Sequence, residues 1–342
     1  MTVVDYLLPL SEGQRLTEEQ AFQLMDAIMQ GQATNAQIGG VLMALRVRGE
    51  TIDELTGFAQ AMRAHATPMT LLRRPVLDTC GTGGDRSHTF NVSTVSAFVV
   101  AGAGIAVAKH GNRSATSKSG SADLLEALNV PIVQEPTVVA QWIQQVGFGF
   151  LFAQTVHSSM RYAAPVRREL GVRTVFNVLG PLTNPAHPEQ QLLGVFSPEW
   201  VRPVAEVLLR LAVDRAMVVH GHGGLDEVSL SGPTQYSLVD GGQVRDGVLT
   251  PDELGLPTYP VGSFRGADPS ANAIIARNIL AGQPSPFLDL VLANAGVALY
   301  VGRAVQSPAE GVKLARQTIL SGQAAGILEA LVAHSGEAGH VS

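Results

Sequence analysis

Cysteine and charge are both scarce in this sequence. Its single cysteine, Cys80, cannot form an internal disulfide, which favours a reducing compartment. Only 15% of the residues are charged and the formal net charge is −6, which argues against a general nucleic-acid binder or a membrane-surface protein. Residues 1–10 carry no basic n-region of a signal peptide, and the longest apolar run, residues 95–108, is shorter than the roughly 20 residues of a membrane span. We expect a cytoplasmic protein that binds neither membranes nor nucleic acid.

The residues that are abundant are those of a well-packed globular protein. The chain has 342 residues, 46% of them hydrophobic, which allows two domains and a sizeable core. Thr17, Thr34 and Thr51 each stand three residues before Gln or Glu, the pattern of a capping box at a helix start. Apolar residues follow the second and third of these boxes at helical spacing. We expect a helical N-terminal region of about 70 residues, followed by a linker over residues 68–75.

From residue 76 onward, short apolar segments alternate with helical patterns. Such alternation is typical of an α/β fold, in which a mostly parallel sheet is flanked by helices. Residues 235–250, with Asp240-Gly241-Gly242 near their centre, predict a β-hairpin within this pattern. The stretch 157–171 predicts one helix that ends at Gly171, and helical patterns return in the C-terminal part of the chain.

The most informative segment is the glycine-rich loop DTCGTGGD at residues 78–85. Gly81, Gly83 and Gly84 free the backbone to adopt positive φ and to bring N–H groups close to an anion. A glycine loop alone is weak evidence, since many are only tight turns. The sequence KHGNR at residues 109–113 ends the next predicted strand, and an open α/β sheet brings the carboxyl ends of neighbouring strands to one crevice. Together the two segments predict a phosphate-binding site with a cationic wall.

Two adjacent carboxylates, Asp226 and Glu227, follow a later predicted strand. Mg²⁺ prefers one or two carboxylates completed by water and substrate phosphates, so this pair suits a magnesium ion beside the phosphate site. His220 and His222 stand nearby, but zinc would need a third firm ligand at a workable spacing, and we favour a polar loop role for them. Cys80 is expected to be a packing residue rather than a nucleophile.

Five segments that occur in order between about residues 77 and 231 resemble the anthranilate phosphoribosyltransferase family. They are GTGGD, TFNVST, KHGNR with SKSGSADLLEAL, APVRRELGVRTVFNVLGPLTNPA and GLDEVS. The resemblance implies a nucleoside phosphorylase/phosphoribosyltransferase-like α/β fold with a smaller all-helical domain, residues 1–70 plus about 163–190. The larger α/β domain would span residues 71–162 plus about 191–342. A homodimer formed through the small domain, with an active site in the cleft between the domains, is also implied.

The activity implied by the resemblance is transfer of the phosphoribosyl group from 5-phosphoribosyl 1-pyrophosphate to the amine of anthranilate, in tryptophan biosynthesis. Anthranilate would contact Gly81, Asn112 and Arg167, with Arg167 near its carboxylate and Pro181 along its path. The residues that match the family's donor site are Gly81, Gly84, Asp85, Thr89, Asn91, Val92, Ser93, Thr94, Lys109, His110, Gly111, Asn112, Arg113, Ser114, Ala115, Thr116, Ser117 and Ser121.

The same resemblance implies Mg²⁺ as the metal, bound by Ser93, Asp226 and Glu227. No residue has a strong claim to be a general base. His110 is the candidate that stays open. An aromatic amine that attacks an oxocarbenium-like carbon can lose its proton late, and positioning and charge neutralisation then carry most of the rate.

One position departs from the family pattern. Arg86 follows GTGGD where the family commonly has glycine, so either the loop takes a negative φ there or the arginine adds charge near the pyrophosphate. Arg168 and Arg173 are expected to be helix-surface or ion-pair residues.

Two alternative functions stay open. A pyrimidine nucleoside phosphorylase shares this architecture, but Asp78-Thr79-Cys80 stands where that enzyme usually has Lys-His-Ser. The other alternative is a non-catalytic relative that binds nucleic acid through a basic groove. The acidic chain, which keeps the proposed metal ligands and Arg167, disfavours it.

Overall fold

The computed structural model describes residues 2–85, 87–114 and 118–338. Its N-terminal region consists of four helices: α1 (Val4–Ser11), α2 (Glu18–Met29), α3 (Asn35–Arg48) and α4 (Ile52–Ala64). The three predicted capping boxes are confirmed, since each threonine accepts a hydrogen bond from the N3 amide and the N3 side chain in turn accepts one from the cap amide. Helix α1 has no side-chain cap at Val3, but Asp5 in its first turn accepts a hydrogen bond from the Thr2 amide at 2.7 Å.

The described residues form one seven-stranded sheet in the order β3-β2-β1-β4-β5-β6-β7. Strands β1 to β5 are parallel, and β6 and β7 form the predicted antiparallel hairpin at one edge. Gly241 and Gly242 connect the hairpin with φ of 59° and 75°, as a two-residue turn with positive φ requires. The strands are β1 (Val76–Gly81), β2 (Ala106–Gly111), β3 (Phe148–Phe152), β4 (Gln190–Gly194), β5 (Arg215–Gly221), β6 (Thr234–Asp240) and β7 (Gln243–Leu249).

Helices cover both faces of the sheet and continue to the C-terminal end of the described chain. The α-helices are α5 (Val92–Gly102), α6 (Ser121–Ala127), α7 (Pro136–Gln145), α8 (Ala153–Val156), α9 (Ala164–Leu170), α10 (Phe176–Leu179), α11 (Val201–Arg210), α12 (Pro269–Leu280), α13 (Pro286–Val301), α14 (Pro308–Leu320) and α15 (Gln323–Ala338). Short 3₁₀ helices span Ser158–Tyr162, Gly180–Leu182 and Pro198–Trp200. None of the described helices is both long and apolar enough to cross a membrane.

The prediction of one continuous helix over residues 157–171 is wrong. The stretch divides into a 3₁₀ helix and α9, and Pro165 occupies the first turn of α9. Proline is accepted there because it has no amide to donate, whereas in a helix interior it would break the hydrogen-bond ladder. Gly171 closes α9 in the left-handed region with φ of 62°, as predicted.

Two large apolar cores lie on opposite faces of the sheet. Adjacent residues of β4 enter different cores, Leu192 one and Leu193 the other, because side chains alternate along a strand. The core on the face of Leu192 contains most of α13. The core on the face of Leu193 includes the N-terminal helices, α11 and the segment 163–182. The segment 163–182 therefore packs with the N-terminal helices although it is distant from them in sequence.

Candidate active site

The predicted site residues gather at the carboxyl ends of the parallel strands. The glycine loop follows β1, the KHGN sequence ends β2, and Asp226 lies in the loop after β5. Gly83 and Gly84 have φ of 66° and 73°, so the loop uses the positive φ that its glycines permit. The Gly83 amide donates to Asp226 Oδ2 at 2.7 Å, which joins the loop to the acidic segment.

Close packing requires glycine at the ends of two neighbouring strands. A Cβ at Gly81 would lie 2.4 Å from Asp226 Oδ2, and a Cβ at Gly194 would lie 1.6 Å from the Asp226 carbonyl oxygen. Gly81 was predicted to be a site residue on motif grounds. Gly194 was not, and the only local signal for it is a glycine at the end of an apolar strand.

The environment of the two acids is unfavourable for negative charge. Burial and the nearby charge of Asp85 raise the pKa of Asp226, and burial and Asp226 raise the pKa of Glu227 well above its usual range. Neither acid forms an ion pair with a lysine or arginine of the described residues. A cation at this position would stabilise both carboxylates.

The donor atoms present fit Mg²⁺ rather than a metal held by protein alone. Within the described ranges there is no group of three His, Cys, Asp or Glu side chains that could hold a metal ion. The Ser93 amide donates to Glu227 Oε1 at 3.2 Å, so Ser93 lies directly beside the acids. Two carboxylates and a hydroxyl leave the remaining positions to water and phosphate oxygens, the arrangement that Mg²⁺ prefers.

Lys109 lies beneath the glycine loop with internal partners. Its ammonium donates to the Thr79 carbonyl at 2.5 Å and to Ser93 Oγ at 3.2 Å, and the residue is only 1% exposed. Burial lowers the pKa of Lys109, and the charges of Asp78 and Glu227 oppose that change. The ammonium is therefore close to the predicted phosphate site, but its hydrogen bonds go to Thr79 and Ser93.

The start of α5 is tied to the loop after β2. Asn91 Nδ2 donates to the Ser119 carbonyl at 3.0 Å, and Asn91 Oδ1 accepts from Ser119 Oγ at 3.0 Å and from Asn272 Nδ2 at 3.1 Å. The side chains of Val92 and Thr94 are buried, so we expect these residues to contribute to the site through their backbone atoms. Ser119 and Asn272 were missed by the sequence reasoning, because their contacts join distant segments.

The remaining predicted donor residues divide into three groups. The Asp85 carboxylate accepts from Ser87, and Thr89 pairs in a β-bridge with Arg265. Arg113 turns away to form ion pairs with two acids of α6, and its guanidinium stacks on a phenylalanine ring. The third group is placed by its backbone. Gly111 ends β2, the Ser114 amide donates to the Asp123 carboxylate, and Ser121 begins α6. Arg86, Ala115, Thr116 and Ser117 lie outside the described residues.

His110 forms a pair with His157, with ring centroids 5.1 Å apart. Burial, together with the charge of a protonated His157, lowers the pKa of His110 to about 3, and burial lowers the pKa of His157 to about 4. His110 Nε2 is buried without a hydrogen-bond partner among the described residues. A neutral imidazole with so low a pKa is a poor general base near pH 7.

Arg167 and Asn112 are the predicted anthranilate contacts. The Arg167 guanidinium lies 5.1 Å from the Phe176 ring centroid, and burial lowers the pKa of Arg167. No described carboxylate forms an ion pair with it. Asn112 is exposed, and its Oδ1 accepts from Gln154 Nε2 at 3.4 Å. Pro181 lies next to Gly180 in the short 3₁₀ helix after α10.

Arg173 does not behave as a helix-surface or ion-pair residue, so that prediction is wrong. It lies between α9 and α10, and its guanidinium donates to the Gly84 carbonyl. The same guanidinium stacks on the Phe196 ring, 4.3 Å from the centroid. No local sequence signal identifies this contact, because Gly84 and Arg173 are far apart in the chain.

Two family models match the chain in succession. Residues 4–66 match the glycosyl transferase family, helical bundle domain, and residues 73–325 match the glycosyl transferase family, a/b domain. A helical bundle, an α/β domain and a glycine loop at the carboxyl ends of parallel strands thus define a glycosyl transferase.

Relatives of the chain are named more specifically. The anthranilate phosphoribosyltransferases of Symbiobacterium thermophilum and Thermomicrobium roseum are 50% and 52% identical to it, over 94% and 93% of this chain and 95% and 93% of theirs. The solved structure of the Thermus thermophilus enzyme has a TM-score of 0.91 and 47% identity, covering 96% of this chain and 98% of that one. The Saccharomyces cerevisiae enzyme in complex with PRPP and Mg has a TM-score of 0.88 at 29% identity, with 96% of each chain covered. The chain belongs to the anthranilate phosphoribosyltransferase family.

Proposed function

We propose that this chain transfers the phosphoribosyl group of 5-phosphoribosyl 1-pyrophosphate to anthranilate, a step of tryptophan biosynthesis. The anthranilate nitrogen attacks the ribose C1 carbon, the bond from C1 to the pyrophosphate oxygen breaks, and the nitrogen loses a proton. The observation that carries the proposal is the glycine loop with positive φ, joined by a hydrogen bond to buried acids whose pKa burial raises although Lys109 lies nearby, in a member of this family.

The donor is proposed to lie along the glycine loop and the start of α5. Gly81, Gly84 and Asp85 would line the pyrophosphate, and the residues 89–94 would surround the ribose and phosphates. Gly83 and Gly84 support this placement, because their positive φ lets the backbone of the loop come close to an anion. Lys109 would add a positive charge near the phosphates, and Ser121 at the start of α6 would hold phosphate oxygens.

Ser93, Asp226 and Glu227 would hold Mg²⁺. The raised pKa of both acids supports this role, since the cation would remove the cost of burying two negative charges. The ion would supply positive charge for the departing pyrophosphate. The residues of the chain itself position the donor and exclude water from it.

Anthranilate is proposed to lie between Arg167 and the glycine loop. The Arg167 guanidinium, without an acidic partner in the described chain, would bind the carboxylate. Asn112, Gly81 and Pro181 would line its path to the ribose. His110 would present a neutral ring there, and we assign it no proton transfer.

The chain is further proposed to be a cytoplasmic homodimer with two domains. Residues 1–70 plus about 163–190 would form the helical domain, and residues 71–162 plus about 191–342 the α/β domain. The shared core of the N-terminal helices and the segment 163–182 supports this division. The helical domain has exposed apolar side chains on α1 and α3, which contact each other, and a second copy would cover them.

The experiment is an assay of anthranilate consumption with the purified chain. Anthranilate should disappear and pyrophosphate should appear in equal amounts when 5-phosphoribosyl 1-pyrophosphate and Mg²⁺ are both present. Omission of the donor, or removal of Mg²⁺ with a chelator, should stop the reaction. Phosphate-dependent cleavage of a pyrimidine nucleoside without anthranilate turnover would instead identify a nucleoside phosphorylase.

A further inference from the structure

Each residue of the glycine loop is fixed by a different part of the molecule. The Thr82 amide donates to the Gly194 carbonyl at 2.9 Å, and Thr82 Oγ1 accepts from the Phe196 amide at 3.0 Å. The Gly83 amide donates to Asp226 at 2.7 Å. These contacts come from the segments after β4 and β5, within the α/β part of the chain.

The next residue, Gly84, is held from the helical side. Its carbonyl accepts from the Arg173 guanidinium, and Arg173 lies in the connection between α9 and α10. A Cβ at Gly84 would be 3.3 Å from Arg173 Nε, so the guanidinium packs against the glycine itself. The peptide of Gly84, with φ of 73°, is thereby fixed at the position where the loop turns toward Asp85.

Phe196 provides the surface on which Arg173 is held. The guanidinium lies 4.3 Å from the ring centroid, while the Phe196 amide anchors Thr82 of the same loop. A planar guanidinium can stack on a ring and donate in its own plane at the same time, which an ammonium cannot do. The chemistry of this position therefore favours arginine over lysine.

We propose that Arg173 is a positioning residue for the phosphoribosyl donor. It sets the peptide of Gly84 and connects the glycine loop to the segment whose preceding helix carries Arg167. This inference rests on the proposed function, because it takes the glycine loop to be the donor site. Arg173 itself acts through the loop and not on the reacting atoms.

The kinetic test compares Arg173→Leu and Arg173→Lys with wild type. A charge-assisted hydrogen bond is lost in the leucine variant, and the KM for 5-phosphoribosyl 1-pyrophosphate should rise roughly tenfold. The KM for anthranilate should change less than about twofold, and lysine should restore only part of the donor affinity. The matched control is Arg168→Leu, an exposed arginine of α9, which should leave both KM values unchanged. Equal rises in both KM values, or no rise in the donor KM, would overturn the inference.

A second measurement does not depend on activity. Hydrogen exchange of the Gly84 and Asp85 amides in the free protein should be faster in both Arg173 variants and unchanged in Arg168→Leu. Phe196→Leu should have a smaller effect on the donor KM, and its combination with Arg173→Leu should be less than additive because the two side chains act together. A wild-type chain without transferase activity would refute the proposed function, whereas unchanged exchange in the Arg173 variants would refute the positioning role alone.

Discussion

The three cationic side chains assigned to the site differ in the partners available to them. Lys109 is buried and satisfied by Thr79 and Ser93, so its charge acts from beneath the loop. Arg173 is occupied by a backbone carbonyl and a ring. Arg167 has a ring partner but no described acidic partner, so it is the cation best able to receive a substrate carboxylate. The three charges are therefore not interchangeable.

The first prediction concerns Arg167. Its guanidinium should contribute about 1.5 to 3 kcal/mol to anthranilate binding, so Arg167→Ala should raise the anthranilate KM roughly ten- to hundredfold. The donor KM should change much less, because the phosphates are assigned to the glycine loop. Aniline, which lacks the carboxylate, should be a poor substrate that loses little more in the variant. Equal losses for anthranilate and donor would place Arg167 at the phosphates or in the scaffold.

The second prediction concerns pH and the buried histidines. Burial lowers the pKa of His157 to about 4 from an ordinary value of 6.5, so the unfolded chain binds this proton more tightly. The resulting stability is present above pH 6.5 and is lost as pH falls toward 4. Denaturant unfolding at pH 7 and pH 4.5 should show a smaller acid-induced loss for His157→Gln than for wild type, by about 1 to 3 kcal/mol. The same loss in both proteins would show that His157 is not responsible.

At the scale of elements, short sequence motifs predicted the features that depend on residues close together in the chain. The threonines of the capping boxes predicted the starts of α2, α3 and α4, because cap and N3 residue lie within one turn. The hairpin followed from its two glycines. The break before α9 was missed although Pro165, which is tolerated in the first turn of a helix and not in its interior, marks it.

The site could be predicted only in its motif positions. Gly81, Lys109 and Asp226 come from segments whose composition is unusual, and the structure brings them together at the strand ends. The contacts of Arg173 and Asn272 could not be foreseen, because each depends on how segments far apart in sequence pack. The outward turn of Arg113 toward acids ten and thirteen residues later is likewise a packing result.

The third prediction tests the packing of the strand ends. Gly194→Ala would place a methyl group 1.6 Å from the Asp226 carbonyl oxygen, a clash with backbone that no side-chain rotation relieves. We expect the free energy of unfolding to fall by about 3 kcal/mol or more, with loss of activity. Gly83→Ala is the control, since among the described residues no atom beyond its chain neighbours lies within 4 Å of its added Cβ, and its positive φ costs about 1 kcal/mol. Chemical denaturation of both variants measures the difference, and equal losses would contradict the packing argument.

At the scale of the whole molecule, one sheet separates two cores and supports the site at its edge. The segment 163–182 belongs to the core of the N-terminal helices, yet it brings Arg173 to the glycine loop after β1. Arg63 of α4 also contacts this segment, donating to the Leu182 carbonyl at 2.7 Å. The segment 163–182 thus connects the N-terminal helices to the glycine loop.

The last prediction concerns assembly through the N-terminal helices. Leu8 on α1 and Val47 on α3 are 66% and 82% exposed, and the two helices contact each other. Because exposed apolar side chains are stabilised when they are removed from water, a second copy packed on this surface would stabilise the protein. Light scattering of the wild type should give about twice the chain mass of 35.9 kDa. Leu8→Glu combined with Val47→Glu should shift the mass toward one chain, because charges of the same sign would have to be buried together without a partner. Ile274→Glu on α12, also an exposed apolar position, should leave the mass unchanged, and a monomeric wild type at micromolar concentration would exclude the dimer.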